Sequence, residues 1–144
     1  MAFRESSAGY MINLAARLFA RAVHQNVRGL GVSAGYLPVF FALAADKELT
    51  QTALARVAAI EQPTMAATLT RMERDGLVLR RPDPLDGRSS LISLTPSAMK
   101  KVKAVEAAVN EINDRTLTSL SEKERAAFMT ALQAIVRALQ ADGG

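Results

Sequence analysis

LTQTALARVAAIEQPTMAATLTRMERDGLVLRRPDPLDGRSSLISLT, residues 49 to 95, runs through two short helical patterns, a glycine stop and a proline-rich hairpin without interruption. Thr50 is placed to cap a helix carrying Leu54, Ala55 and Ala58, because a hydroxyl oxygen accepts the orphan amides of a first turn. Ile60, Glu61 and Gln62 lead into Pro63, which suits the first turn of a second helix, where its missing amide proton has no partner to lose. On that second helix Met65, Leu69 and Met72 fall on one face, and Gly76 supplies the stop. The opposite face carries Pro63, Ala67, Thr70, Arg71 and Arg74, with Thr64 at its margin. Without an apolar stripe to bury, that face is expected to point outward.

Val78 to Arg81 and Leu91 to Leu94 read as short strands, and PDPLDG between them is turn chemistry. Proline fixes φ while Asp86-Gly87 tolerates positive φ, so a two-stranded hairpin is predicted directly after the helix-turn-helix. Upstream, Met11, Leu14, Ala15, Leu18, Phe19, Ala22 and Val23 recur at three- and four-residue intervals, predicting a helix from about Ser7 to Arg28 that Gly29 and Gly31 end. Ser33 is expected to cap a further helix through Phe40, Leu43 and Ala44, with Pro38 imposing a kink or a late start. Downstream, Thr95 and Pro96 open a long helix whose Ala98, Val102, Val105, Val109 and Ile112 form a heptad-like seam. Ser121 with Glu124 makes a capping box for a last helix that turns Phe128, Leu132, Ile135, Val136 and Leu139 inward. The fold class is therefore mainly α with one small β-hairpin.

Composition narrows the chemistry. A chain of 144 residues, 49% of them hydrophobic, is long enough for one core, and its formal charge of +4 suits an anionic partner. Cysteine is absent and histidine occurs once, which removes disulfides, thiol switches and the usual zinc ligands, so neither metal nor cofactor is expected. No stretch approaches the roughly 20 apolar residues of a membrane span, and the expected setting is a soluble protein of the cytoplasm without membrane contact. A phosphate-cradling glycine loop, a nucleophile elbow and a metal-ligand cluster are all missing, so an enzyme is not expected.

The order of these elements resembles the MarR (multiple antibiotic resistance regulator) family of winged helix-turn-helix transcriptional regulators. LTQTALA, LTRMERDGLVLRR and DGRSSLISLTPSA carry the likeness, and Asp86-x-Arg88 matches the family's wing signature. The resemblance implies a single chain, residues 1–144, with a winged helix-turn-helix over 33–95 and dimerisation helices over 7–31 and 96–140. It also implies a homodimer on a pseudo-palindromic operator in double-stranded DNA, with half-sites about 34 Å apart. Leu14, Leu18, Val109, Ile112, Leu132 and Ile135 are the interface or adjoining core positions it suggests.

A recognition helix reads base edges in the major groove while a wing anchors on the backbone or in the minor groove, where concentrated negative potential attracts a guanidinium. Arg88 is the expected anchor, and Asp86 either orients it or braces the hairpin. On the recognition helix the expected contacts are Gln62, Pro63, Thr64, Thr68 and Arg71, with Ala67 available to a thymine methyl group; Arg74 and Arg81 are expected on peripheral phosphates. The family also implies a repressor released by a small aromatic or phenolic ligand, and by position His24, Tyr36 and Phe40 are candidates for its pocket. Ala66 and Ala67 stand where relatives often have serine or arginine. They motivate a rival reading: a winged-helix dimer with a decayed DNA face that serves as a protein-interaction module.

Overall fold

Capping chemistry sets the element boundaries in the computed structural model, which describes residues 1–143. A short helix α1 (Phe3–Ser6) precedes α2 (Ala8–Val27), whose first turn is closed by Ser7 Oγ accepting from the Tyr10 amide at 3.2 Å. A 3-10 turn, Arg28–Leu30, ends at Gly31 with φ +77°, a conformation that calls for glycine. Ser33 begins a second 3-10 turn, Ala34–Tyr36, without a side-chain cap, and α3 (Leu37–Asp46) comes next. Pro38 sits in the first turn of α3, so the late start occurs.

Three strands, not two, form the sheet: β1 (Glu48–Thr50), β2 (Val78–Asp83) and β3 (Asp86–Leu94), antiparallel in the order β1-β3-β2. Leu49 pairs with Ile92, and Val78 and Arg81 pair with Leu94 and Leu91. The expected hairpin turn is corrected as well. Pro84-Leu85 makes the connection, Asp86-Gly87 belongs to β3, and Gly87 does not adopt positive φ. Aspartate side chains supply the turn chemistry: Asp83 Oδ1 accepts from the Leu85 amide at 2.9 Å, and Asp86 Oδ1 from the Arg88 amide at 3.0 Å.

Helix α4 (Gln51–Ala58) is capped by Thr50, and α5 (Gln62–Arg74) starts with Pro63 in its first turn. Met65, Leu69 and Met72 of α5 are fully enclosed, as are Val39, Phe40 and Leu43 of α3, Leu54 of α4, and Leu77, Val78 and Ile92. Each such large apolar side chain contributes roughly 1.5–3 kcal/mol on burial, so this set dominates the stability of the region. Two tight C-terminal caps bracket the helix-turn-helix. The Leu77 amide donates to Met72 O at 2.8 Å around Gly76 (φ +73°), and the Ile60 amide donates to Ala55 O at 3.0 Å around Ala59 (φ +54°).

Thr95 joins the sheet to the C-terminal helices: its hydroxyl donates to Gly76 O at 2.8 Å and accepts from the Ala98 amide at 3.1 Å. The single long helix expected from Pro96 is interrupted, with α6 (Pro96–Met99) separated from α7 (Val102–Thr116) at Lys100-Lys101. Asn26 Nδ2 donates to Ala108 O at 3.1 Å, tying the first half of α7 to α2. The chain divides into two compact units, Met1–Val109 and the residues from Asn110 onward. In the second unit the Ser121-Glu124 capping box opens α8 (Glu122–Asp142), and Arg125 Nε donates to the carbonyls of Leu117 and Leu120. The inward stripe expected on α8 is corrected: Phe128, Ile135, Val136 and Leu139 are exposed and Leu132 is half-buried, because one chain offers them no cover.

Ala59 holds the left-handed conformation that glycine adopts without cost, so Ala59→Gly is expected to raise stability by about 0.5–1 kcal/mol and Gly76→Ala to lower it by about 1 kcal/mol. Urea unfolding midpoints of the two variants measure this; a fall for Ala59→Gly would contradict the helix-turn-helix geometry.

Candidate nucleic-acid interface

Burial of Met65, Leu69 and Met72 turns the other side of α5 outward, and Gln62, Pro63, Thr64, Ala67, Arg71 and Arg74 are all exposed. Thr68 departs from expectation. Only 3% exposed, it lies one turn from Met65 and Met72 on the buried face, and its Oγ1 accepts a long 3.5 Å hydrogen bond from Arg71 Nη2. So enclosed, it cannot meet a base edge.

A polar cleft of about 420 Å³ lies between the start of the helix-turn-helix and the hairpin. Gln51 and Thr52 at the head of α4 and Gln62 at the head of α5 line one side; Arg80, Asp86, Arg88, Ser89 and Ser90 line the other. Gln51 Nε2 donates to Gln62 Oε1 at 3.4 Å, joining the two helix starts. Of the two roles open to Asp86 the geometry selects bracing, since its carboxylate holds the Arg88 amide. The Arg88 side chain is exposed and forms no ion pair among the described residues.

Sequence reasoning missed Gln51, Thr52, Arg80, Ser89 and Ser90. Gln51 and Thr52 were findable, because the first helix of a helix-turn-helix begins against the backbone it crosses. Arg80 carried no such signal beside the equally basic Arg81.

The two neighbours are held differently. Arg81 Nε and Nη2 donate to Glu48 at 2.6 and 2.8 Å, a two-pronged pair across the outer strands, while the Arg81 side chain stays exposed. The Arg81 guanidinium holds the Glu48 carboxyl below its ordinary 4.5. Arg80 instead lines the cleft, with a looser 3.4 Å contact to Glu73.

At the far end of α5, Arg74 Nε donates to Asp75 Oδ1 at 3.0 Å and the Tyr36 hydroxyl donates to Asp75 Oδ2 at 2.7 Å. Arg74, then Tyr36, hold the Asp75 carboxyl below its ordinary 3.8. Burial first and the Asp75 bond second push the Tyr36 phenol up from 10.0.

His24, Tyr36 and Phe40, expected at a ligand pocket, each have partners within the chain. Phe40 is fully buried with an edge-to-face contact to Phe41, Tyr36 is 6% exposed with its hydroxyl bonded to Asp75, and exposed His24 accepts from the Ala34 amide at 3.4 Å. None of the three lines the polar cleft or the shallow concavity of about 500 Å³ around Thr52, Arg56, Ile60 and Gln62. No cluster of metal-ligating side chains occurs among the described residues, and no single helix among them is long and apolar enough to cross a membrane.

A MarR family model matches residues 30–89, the stretch that builds this interface. The transcriptional regulator HosA of Escherichia coli O111:H- is 32% identical over 100 residues, covering 69% of this chain and 74% of that protein. The HTH-type transcriptional regulator YwoH of Bacillus subtilis is 27% identical over 119 residues, 83% of this chain and 86% of the relative. The crystal structure of a mutant MarR from E. coli complexed with operator DNA superposes with a TM-score of 0.84 at 20% identity, covering 94% of this chain and 98% of that one. The chain belongs to the MarR family, and is thus a transcriptional regulator rather than an enzyme.

Glu48 and Asp75 have folded-state values below the ordinary 4.5 and 3.8, so their stabilisation is present above those values and is lost as acid carries pH through the lower folded ones. Thermal midpoints recorded against pH should therefore fall on acidification below 4.5, and less steeply in Glu48→Gln. Superimposable curves for parent and variant would remove Glu48 from the acid response.

Proposed function

We propose that the chain acts as a homodimer that binds double-stranded DNA sequence-specifically at a pseudo-palindromic operator, and that it is a repressor released by a small aromatic or phenolic ligand. One observation carries the DNA-binding reading: the open head of α5 and the unpaired Arg88 face a common cleft, so a groove-reading helix and a cationic finger address one ligand from two sides. In this reading Gln62, Pro63, Thr64 and Ala67 meet base edges and Arg71 a guanine or a phosphate. Gln51, Thr52 and Arg80 seat the intervening backbone, and Arg88, on a hairpin stiffened by Asp86, enters the minor groove.

Exposed apolar side chains on α2 and α8, among them Met11, Leu18, Phe128, Ile135 and Leu139, support pairing of two chains through these helices. Two-fold pairing repeats the recognition unit, which sets half-sites about one DNA turn apart, roughly 34 Å. The E. coli MarR complex with operator DNA, which shares this fold, supports the reading by analogy. Release requires a ligand that binds the DNA-incompetent arrangement of the dimer more tightly, since equal affinity for both states shifts nothing.

Binding is tested by titration onto a duplex that the protein itself selects from a random pool. Affinity is expected to fall with salt, with a logarithmic slope of about −0.9 per phosphate neutralised. Arg88→Ala is expected to weaken binding roughly tenfold while sedimentation still reports a dimer. Undetectable or salt-insensitive binding would favour the protein-interaction module, for which the small Ala66 and Ala67 side chains are the motive. Equal affinities for parent and Arg88→Ala would remove the wing from the contact.

A further inference from the structure

The acid at the end of the recognition helix is in an electrostatically poor place. Asp75 caps the C-terminus of α5, where backbone carbonyls converge and a negative charge is disfavoured. Asparagine or glycine would finish the helix without that opposition. Two partners offset it: the guanidinium of Arg74, and the hydroxyl of Tyr36, 39 positions earlier in the chain, at 2.7 Å. The phenol is enclosed while the carboxylate is partly open, so the bond is aimed from the interior outward. The far side of this tether is itself anchored, since the 3-10 turn that presents Tyr36 is closed by its own amide on Ser33 O and receives His24 Nδ1 of α2 at the Ala34 amide.

We propose that Tyr36 is a positioning residue for DNA readout, holding the C-terminal end of the recognition helix through Asp75 so that its N-terminal end meets base edges at a fixed angle. The inference rests on the DNA-binding reading and assigns it a selectivity element outside the contact surface. Apolar burial of Met65, Leu69 and Met72 fixes how deeply α5 sits but is not directional, whereas a short charge-assisted bond fixes where one end lies. Thirteen residues make α5 about 20 Å long, so a pivot of only about 3° at one end displaces the other by roughly 1 Å. That is enough to spoil a hydrogen bond to a base. Non-specific attraction, set by the count of phosphates neutralised, does not feel such a shift.

Tyr36→Phe removes the hydroxyl and keeps the ring that packs. Affinities of parent and variant are measured on a duplex selected by the parent from a random pool and on a scrambled duplex of equal length, each across a salt series. Tyr36→Phe is expected to lose roughly tenfold on the selected duplex, with scrambled-duplex affinity and both salt slopes unchanged. Asp75→Ala is expected to show the same selective loss, the double variant no more than either single, and Asp75→Asn, which keeps an oxygen acceptor, to recover most of it. Equal losses on both duplexes, losses that add in the double variant, or no loss at all would overturn the role of Tyr36 while leaving DNA binding standing. A parent that fails to discriminate the two duplexes would overturn the DNA-binding reading and the positioning role together.

Discussion

Burial of three side chains on one face of one helix governs the rest. With Met65, Leu69 and Met72 enclosed against the helix and sheet residues around them, the remaining face of α5 is the one that solvent or a ligand meets. Thr68 marks the edge of that constraint. Its hydroxyl lies on the enclosed side, while Arg71, three positions on, stays on the open one.

The hairpin is held to this helix by continuity rather than by a broad contact of its own. Gly76 reverses the chain, Leu77 and Val78 enter the same core, and Thr95 bonds back to the Gly76 carbonyl as β3 leaves the sheet. The wing therefore begins and ends within a few residues of the recognition helix, and Arg88 faces the head of α5 across a single cleft. Three arginines of this region have acidic partners: Arg74 with Asp75, Arg80 with Glu73 and Arg81 with Glu48.

Much of this was legible in the residues themselves. Thr50, Pro63, Gly76, Thr95 and the Ser121-Glu124 box announce helix ends through local chemistry, and the helices begin and end beside them. What escaped was non-local. β1 is only three residues long, too short for any periodicity, and exists because Leu91 to Ser93 offer it an edge. Without β1 there was no reason to assign Glu48 to Arg81, and nothing local joins Tyr36 to Asp75. The enclosure of Phe40 and Tyr36 was likewise hidden, because aromatic side chains suit either a cavity or a core. The apolar stripe of α8 was visible, but its period does not say whether its cover comes from the same chain.

The two aspartate-braced amides at the hairpin tip have a kinetic implication. Pro82 and Pro84 restrict the backbone, and Asp83 and Asp86 each clasp the amide two residues on, so the fingertip is shaped before it meets anything. In the proposed reading, a pre-shaped finger surrenders little freedom on docking, which would lengthen the lifetime of the bound state more than hasten encounter.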